Sequence, residues 1–279
     1  MRRLSIAIAS ALLLAAAAAV GFYAYVPHLE RRMTFHPSKY DPKMPWQLPP
    51  ATIDVHFPTS DGIRLHGWFM AGASPRTGIT VLQLHGNAGT LRAFSSDAMV
   101  LQKRGFDVFL VDYRGYGRSE GVTLDETTLR LDGQAAMRHL RAERGLDPGT
   151  VALFGYSLGS TVAADLAVSQ PCRAVALVAP LASARRQAES VFPRMPGLFF
   201  GAMTNRFDTV GKIGRARCPV IVVHGDRDDL ISVEQGRAVH EAAPAPKRLV
   251  IVPGGGHGLY DPTGQGHLGE VAAFFIAPP

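Results

Sequence analysis

Residues Val151 to Thr161, VALFGYSLGST, constrain this chain more than any other stretch. A short apolar run leads into Gly155-Tyr156-Ser157-Leu158-Gly159, and an Ala-rich helical pattern follows. The order reads as strand, sharp turn and helix, with a serine at the apex. A turn this tight holds its central residue in a strained backbone conformation, and side chains two positions before and after it would clash. Glycine at both flanking positions removes the clash. The serine oxygen then stands at the carboxyl edge of a sheet, beside the N–H groups that open the next helix. Five residues of this kind also coincide by chance, so their surroundings carry the argument.

Those surroundings alternate. Ala51–Phe57 and Ile63–Met70 flank Thr59-Ser60-Asp61-Gly62, a hairpin signal. Buried-type strands are predicted at Thr80–Leu84, Val108–Asp112, Ala174–Ala179, Val220–Val223 and Leu249–Val252, besides the one before Ser157. Helical patterns separate them, with Leu129, Ala136, Met137 and Leu140 marking one face of a helix over residues 125–143. An antiparallel start followed by strand–helix alternation predicts an α/β fold with a mostly parallel central sheet and helices on both faces. Residues 51–279 suit one such domain better than two.

Residues 181–217 fit no simple strand–helix unit and read as a small lid. They contain Met195-Pro196-Gly197-Leu198-Phe199-Phe200 and carry seven basic residues (Arg185, Arg186, Arg194, Arg206, Lys212, Arg215, Arg217) against Glu189 and Asp208. Such a segment could dock on an anionic bilayer and admit an acyl chain, or its aromatics could simply be its own core.

Leu4 to Val26 carries no charge, and it lies between Arg2-Arg3 and Glu30-Arg31-Arg32. A helix of about 20 apolar residues spans a bilayer, so residues 1–32 read as a membrane anchor or signal sequence. Ala15 to Ala19 offer small-residue cleavage sites. The length of the run, and Phe22, Tyr23 and Tyr25 where an interfacial belt would lie, favour an uncleaved single-pass anchor. With the short Arg2-Arg3 tail left cytoplasmic, the domain falls on the exported side. Residues 33–50 contain five prolines and read as a tether with Phe35, Tyr40 and Trp46 as anchoring aromatics.

The formal net charge is +6, half of it in residues 1–32, and there is no basic run with interleaved aromatics. Nucleic-acid binding is disfavoured, and attraction to an anionic membrane surface is the more natural use of the charge. Cys172 and Cys218 are too few for a disulfide scaffold. Each precedes a parallel strand, so they are either two separate small apolar residues or, in an exported domain, a pair.

In open α/β sheets, functional residues collect at the carboxyl ends of strands. Four segments bring polar residues there: His85-Gly86-Asn87, Ser157, Asp226 to Asp229, and His257. A serine hydroxyl is a poor nucleophile until a base takes its proton and a third group orients that base. Ser157, Asp228 and His257 supply the three in that chain order. Asp229 is the alternative acid, and His267, in the closing helix, the alternative base. Charge developing on an attacked carbonyl needs preorganised donors. The amide of Leu158 is one candidate, and the backbone N–H of Asn87 the other. His85, His224 and Asp112 read as structural groups at strand ends. No G-x-G-x-x-G lies between a strand and a helix, and no zinc-ligand spacing occurs, so neither cofactor nor metal is expected.

HGNAG at 85–89, DYRGYGRSEG at 112–121, GYSLG at 155–159, HGDRD at 224–228 and GGGHG at 254–258 together resemble the α/β-hydrolase superfamily of serine hydrolases. With the N-terminal apolar segment and Phe35-His36-Pro37, the chain is similar to its single-pass membrane-anchored subgroup, which includes acyl-protein thioesterases and lysophospholipid lipases. The resemblance covers nearly everything from Phe35 onward. It implies the α/β-hydrolase fold, Asp228 as the acid of His-Gly-x-x-Asp, and cleavage of an ester or thioester of an acyl or lipid-like substrate through an acyl-enzyme. A peptidase or acyltransferase would use the same triad, and a non-catalytic membrane-bound scaffold is the alternative from another class. No obligate protein partner is implied.

Overall fold

The computed structural model describes residues 2–43, 45–123, 125–259 and 266–279. Helix α1 (Arg2–Thr34) leads into a two-residue strand β1 (His36–Pro37) and the hairpin strands β2 (Thr52–Pro58) and β3 (Arg64–Met70). The turn between β2 and β3 closes through the Thr59 hydroxyl, which accepts from Ile63 N at 2.9 Å, with Gly62 at φ 83°. Strand β4 (Thr80–Leu84), the short β5 (Ala88–Gly89), helix α2 (Ser95–Lys103) and β6 (Asp107–Asp112) come next. Helix α3 (Glu126–Ala142) starts at Asp125, whose carboxylate accepts from Thr128 N while the Thr128 hydroxyl accepts from Asp125 N. This reciprocal cap satisfies two N–H groups that the first helical turn leaves without partners.

Strand β7 (Val151–Tyr156), helix α4 (Leu158–Ser169) and β8 (Val175–Val178) follow. Helices α5 (Ala184–Val191), α6 (Gly197–Gly201) and α7 (Thr209–Ile213) lie between β8 and β9 (Val220–Gly225). Helix α8 (Val233–Ala242), β10 (Lys247–Val252) and α9 (His267–Ile276) complete the described elements.

Among the described residues, eight strands form one sheet in the order β10-β9-β8-β7-β4-β6-β3-β2. Only the β2–β3 and β3–β6 pairings are antiparallel. Side chains leave a strand alternately on its two faces, and the central strands are apolar on both. Leu82, Leu84, Val151, Leu153, Val220 and Val222 pack toward α3, α4 and α8. Val81, Ala152, Phe154, Ile221 and Val223 pack toward α2 and α9. This is the α/β-hydrolase architecture, a mostly parallel sheet between two helical layers.

After β4 the chain moves to β6 on one side, then crosses to β7 on the other. The carboxyl ends of β4 and β7 therefore flank the point where strand order reverses, and a crevice opens there. Both Asn87 and Ser157 lie just past those ends.

The segment between β8 and β9 has two parts. Helix α7 belongs to the main core through Ile213, with Val210 packed against it. Helix α6 instead joins a separate apolar cluster in which Phe199, Phe200 and Ala202 meet Val26 of α1. Helix α1 runs two residues into the stretch expected to be tether, with Pro27 inside it. An interior proline costs about 3 kcal/mol, and here the turns after it are held by contacts described below. Cys172 and Cys218 are both buried, and their sulfurs lie 2.7 Å apart.

Candidate active site

Ser157 joins β7 to α4 with φ 51° and ψ −118°, a conformation that costs a non-glycine residue strain. The two flanking glycines show what makes the turn possible. A Cβ on Gly155 would stand 2.5 Å from the Gly159 carbonyl oxygen, and one on Gly159 would stand 2.1 Å from the Leu84 carbonyl oxygen. Helix α4 thus packs directly onto the end of β4.

His257 Nε2 lies 3.1 Å from Ser157 Oγ. On the other side of the ring, Nδ1 lies 2.8 Å from Asp228 Oδ2. These distances make Nδ1 the donor to the carboxylate and leave Nε2 free to accept the serine proton. The loop after β9 folds over the Asp228 carboxylate, whose Oδ1 accepts from Leu230 N at 3.0 Å and Ile231 N at 2.8 Å. Its side chain is fully buried, with His224 Nε2 at 3.2 Å from Oδ2. Burial pushes the Asp228 pKa upward, but the hydrogen bonds from His224, His257 and Ile231 N outweigh it and hold the carboxyl well below the usual range. A charged, oriented acid behind the imidazole is the result.

The remaining sequence candidates fall elsewhere. Asp226 accepts from Gly254 N at 2.6 Å, tying the loop after β9 to the turn after β10, and Asp229 is exposed. His267 is buried in α9. His224 bonds the Ile231 carbonyl at 2.8 Å, as expected of a structural histidine, and also touches Asp228. The buried His85 bonds the Gly86 carbonyl through Nδ1 at 2.8 Å, and burial lowers its pKa, which keeps the ring neutral. Asp112 is buried and accepts from Leu91 N at 2.7 Å, anchoring the loop that carries Asn87.

Asn87 and Leu158 line one cavity together with Ser157. The Asn87 side chain is committed elsewhere, since Nδ2 donates to the Thr34 carbonyl at 3.1 Å. Its carbonyl accepts from His36 N and from the Tyr116 hydroxyl. What Asn87 can present to a substrate is its backbone N–H.

The cavity measures about 320 Å³ and is mostly apolar, within the size range of small-molecule sites. Leu181, Ala188, Val191, Phe192, Phe199 and Phe207 supply walls from the segment between β8 and β9. Two contributions were not foreseen from sequence. Glu30, Met33 and Thr34 of α1 line the same cavity, although nothing in their residue types points to it. Tyr156 donates from its hydroxyl to the His257 carbonyl at 2.8 Å, and its ring lies tilted against the imidazole, centroids 5.3 Å apart. Burial raises the Tyr156 pKa, so the phenol keeps the proton it donates. Its place beside Ser157 in the sequence was the available signal.

Comparison with known proteins agrees with this fold. Residues 79–209 match the family model described as the alpha/beta hydrolase fold. An uncharacterized protein of Mycobacterium tuberculosis is 34% identical over 239 residues, covering 86% of this chain and 84% of that protein. Alpha/beta hydrolase domain-containing protein 17B of Homo sapiens is 34% identical over 208 residues, covering 74% of this chain and 69% of that protein. Among solved structures, an esterase from Pyrococcus furiosus superposes with a TM-score of 0.64 at 20% identity, covering 86% of this chain and 94% of its own. An alpha-beta hydrolase from Vibrio vulnificus gives 0.67 at 21%, covering 80% and 81%. The chain belongs to the α/β-hydrolase family. That membership supports hydrolysis as its reaction class.

Proposed function

We propose that the protein is a serine hydrolase that cleaves carboxylic esters or thioesters of acyl substrates through an acyl-enzyme. One observation carries the reading: a strained Ser157 is hydrogen-bonded to His257, which is itself hydrogen-bonded to the buried Asp228. Ser157 Oγ attacks the acyl carbonyl as His257 Nε2 takes its proton. The oxyanion forms toward the backbone N–H groups of Asn87 and Leu158, each such donor being worth about 2.7–4 kcal/mol in the transition state. His257 then protonates the leaving alcohol or thiol. Water deacylates the serine by the same route in reverse order. Asp228 holds the ring and balances the imidazolium charge without taking the proton.

The apolar walls support an acyl group as the part of the substrate that is buried. The helix over residues 8–34 is long and apolar enough to cross a membrane; an 18-residue window within it has mean hydropathy 1.9, and none of that window is buried. In this reading the helix anchors the enzyme as a single-pass protein, with the domain on the exported side. The basic lid then faces the bilayer.

A fluorophosphonate probe tests the chemistry. Labelling of the wild-type protein and its loss in Ser157→Ala are expected. Equal labelling of both proteins, or none of either, would sink the enzyme reading.

A further inference from the structure

Helix α1 changes character along its length. Every residue from 8 to 21 is exposed, as suits a segment that meets lipid or solvent alone. From Phe22 onward one face is covered: Val26 is 1% exposed and Glu30 5% exposed. Val26 packs with Phe199 and Phe200 of α6. This covered part begins beyond Ala15 to Ala19, so it stays with the domain even if a peptidase cuts at those alanines.

A buried carboxylate needs partners, and Glu30 has a full set. Oε2 accepts from Thr204 N and from the Thr204 hydroxyl, both at 2.9 Å, and Oε1 accepts from Asn205 N at 3.0 Å. The next two residues are held in the same manner by Glu126 of α3, which accepts from Arg206 N and Phe207 N. Two carboxylates thus pin residues 204–207, and Phe207 projects into the cavity at φ 39°. On the opposite side, the end of α1 is bonded to the loop beside Ser157. Asn87 Nδ2 donates to the Thr34 carbonyl, His36 N donates to the Asn87 carbonyl, and β1 pairs with β5. The last turns of α1 therefore bridge the lid and the loop carrying Asn87, closing a side of the cavity that the sheet and its own helices leave open.

We propose that these turns are a specificity wall for the acyl chain. Met33, at the cavity and still 40% exposed, sets how long a chain is accepted, and Glu30 is the positioning residue that fixes the wall to the lid. The proposal rests on the hydrolase reading above only for its kinetic test. The helix that reads as an anchor is in this view also part of the substrate site.

The full-length protein in detergent or vesicles gives two measurements. The first is kcat/KM for p-nitrophenyl palmitate relative to the butyrate in wild type, Met33→Trp, Met33→Ala and Glu30→Gln. A bulkier residue at 33 is expected to lower that ratio by about tenfold, through KM for the long ester, and Glu30→Gln to raise KM for palmitate more than for butyrate. Ratios within about twofold of wild type in all three variants overturn the proposal. The second uses a diazirine-bearing palmitate on the Ser157→Ala protein, followed by trypsin. Cleavage after Arg32 and Lys39 separates residues 33–39 from the apolar part of α1. Label on that peptide, competed by palmitate, is expected, and its absence also overturns the proposal. If wild type hydrolyses no ester, the enzyme reading falls, while the photolabel still decides whether α1 is a wall.

Discussion

At Asp228 the side chain is shut off from solvent, yet the carboxyl is held in its charged form by donors from three directions. Its folded pKa lies below the usual value of 3.8, so its contribution to stability is fully present above about pH 4 and lost as pH falls through the folded value. Asp228→Asn should therefore be destabilising at pH 7, with the gap to wild type shrinking below pH 4; urea midpoints at pH 3 and pH 7 measure this. In the same variant kcat should fall by about four orders of magnitude, because the wrong imidazole tautomer faces Ser157. A stopped-flow assay on a soluble ester checks it. In the sequence, Asp228 was singled out by the resemblance, whose His-Gly-x-x-Asp pattern falls on His224-Gly225 and Asp228. The bond from Tyr156 to the His257 carbonyl was not, because it joins residues 101 positions apart and depends on how two loops meet.

Helix α4 abuts the end of β4, and Gly159 is a point of close contact. A methyl there would overlap the Leu84 backbone, so Gly159→Ala should destabilise the fold by about 1–3 kcal/mol, measured by chemical denaturation, and should slow ester hydrolysis by shifting Ser157. The pair at the starts of β8 and β9 makes a second prediction at this scale. The adjacent Cys218 thiol and burial both keep Cys172 protonated, so it is inert to ordinary alkylation in the folded state. Oxidation of both thiols by copper(II) would join residues 46 positions apart, and closing a loop of that size is worth about 4 kcal/mol. The melting temperature should rise on oxidation in wild type and stay constant in Cys172→Ser. Strand–helix alternation made the neighbourhood of the two cysteines foreseeable. Their direct contact depended on the register of β8 against β9, which the sequence pattern leaves open.

Across the whole molecule, α1 divides into an exposed stretch, residues 8–21, and a part built into the domain. Removing residues 2–21 should leave melting temperature and turnover of a soluble ester unchanged while releasing the protein from vesicles. Removing residues 2–34 strips Val26 from the Phe199–Phe200 cluster and Glu30 from Thr204 and Asn205. Burying a side chain such as Val26 contributes about 1.5–3 kcal/mol, so the longer truncation should melt lower and expose apolar surface to a hydrophobic dye. By itself the sequence determined the strand–helix alternation, the glycine-flanked serine and the order of the polar strand ends. Each of these rests on local sterics or on a periodicity written in consecutive residues. The tertiary structure alone decided that the end of α1 lines the cavity, that Glu30 ties it to the lid, and that α7 joins the core while α6 does not. Those outcomes turn on which apolar faces find each other across a long stretch of chain, and no local pattern in either partner names the other.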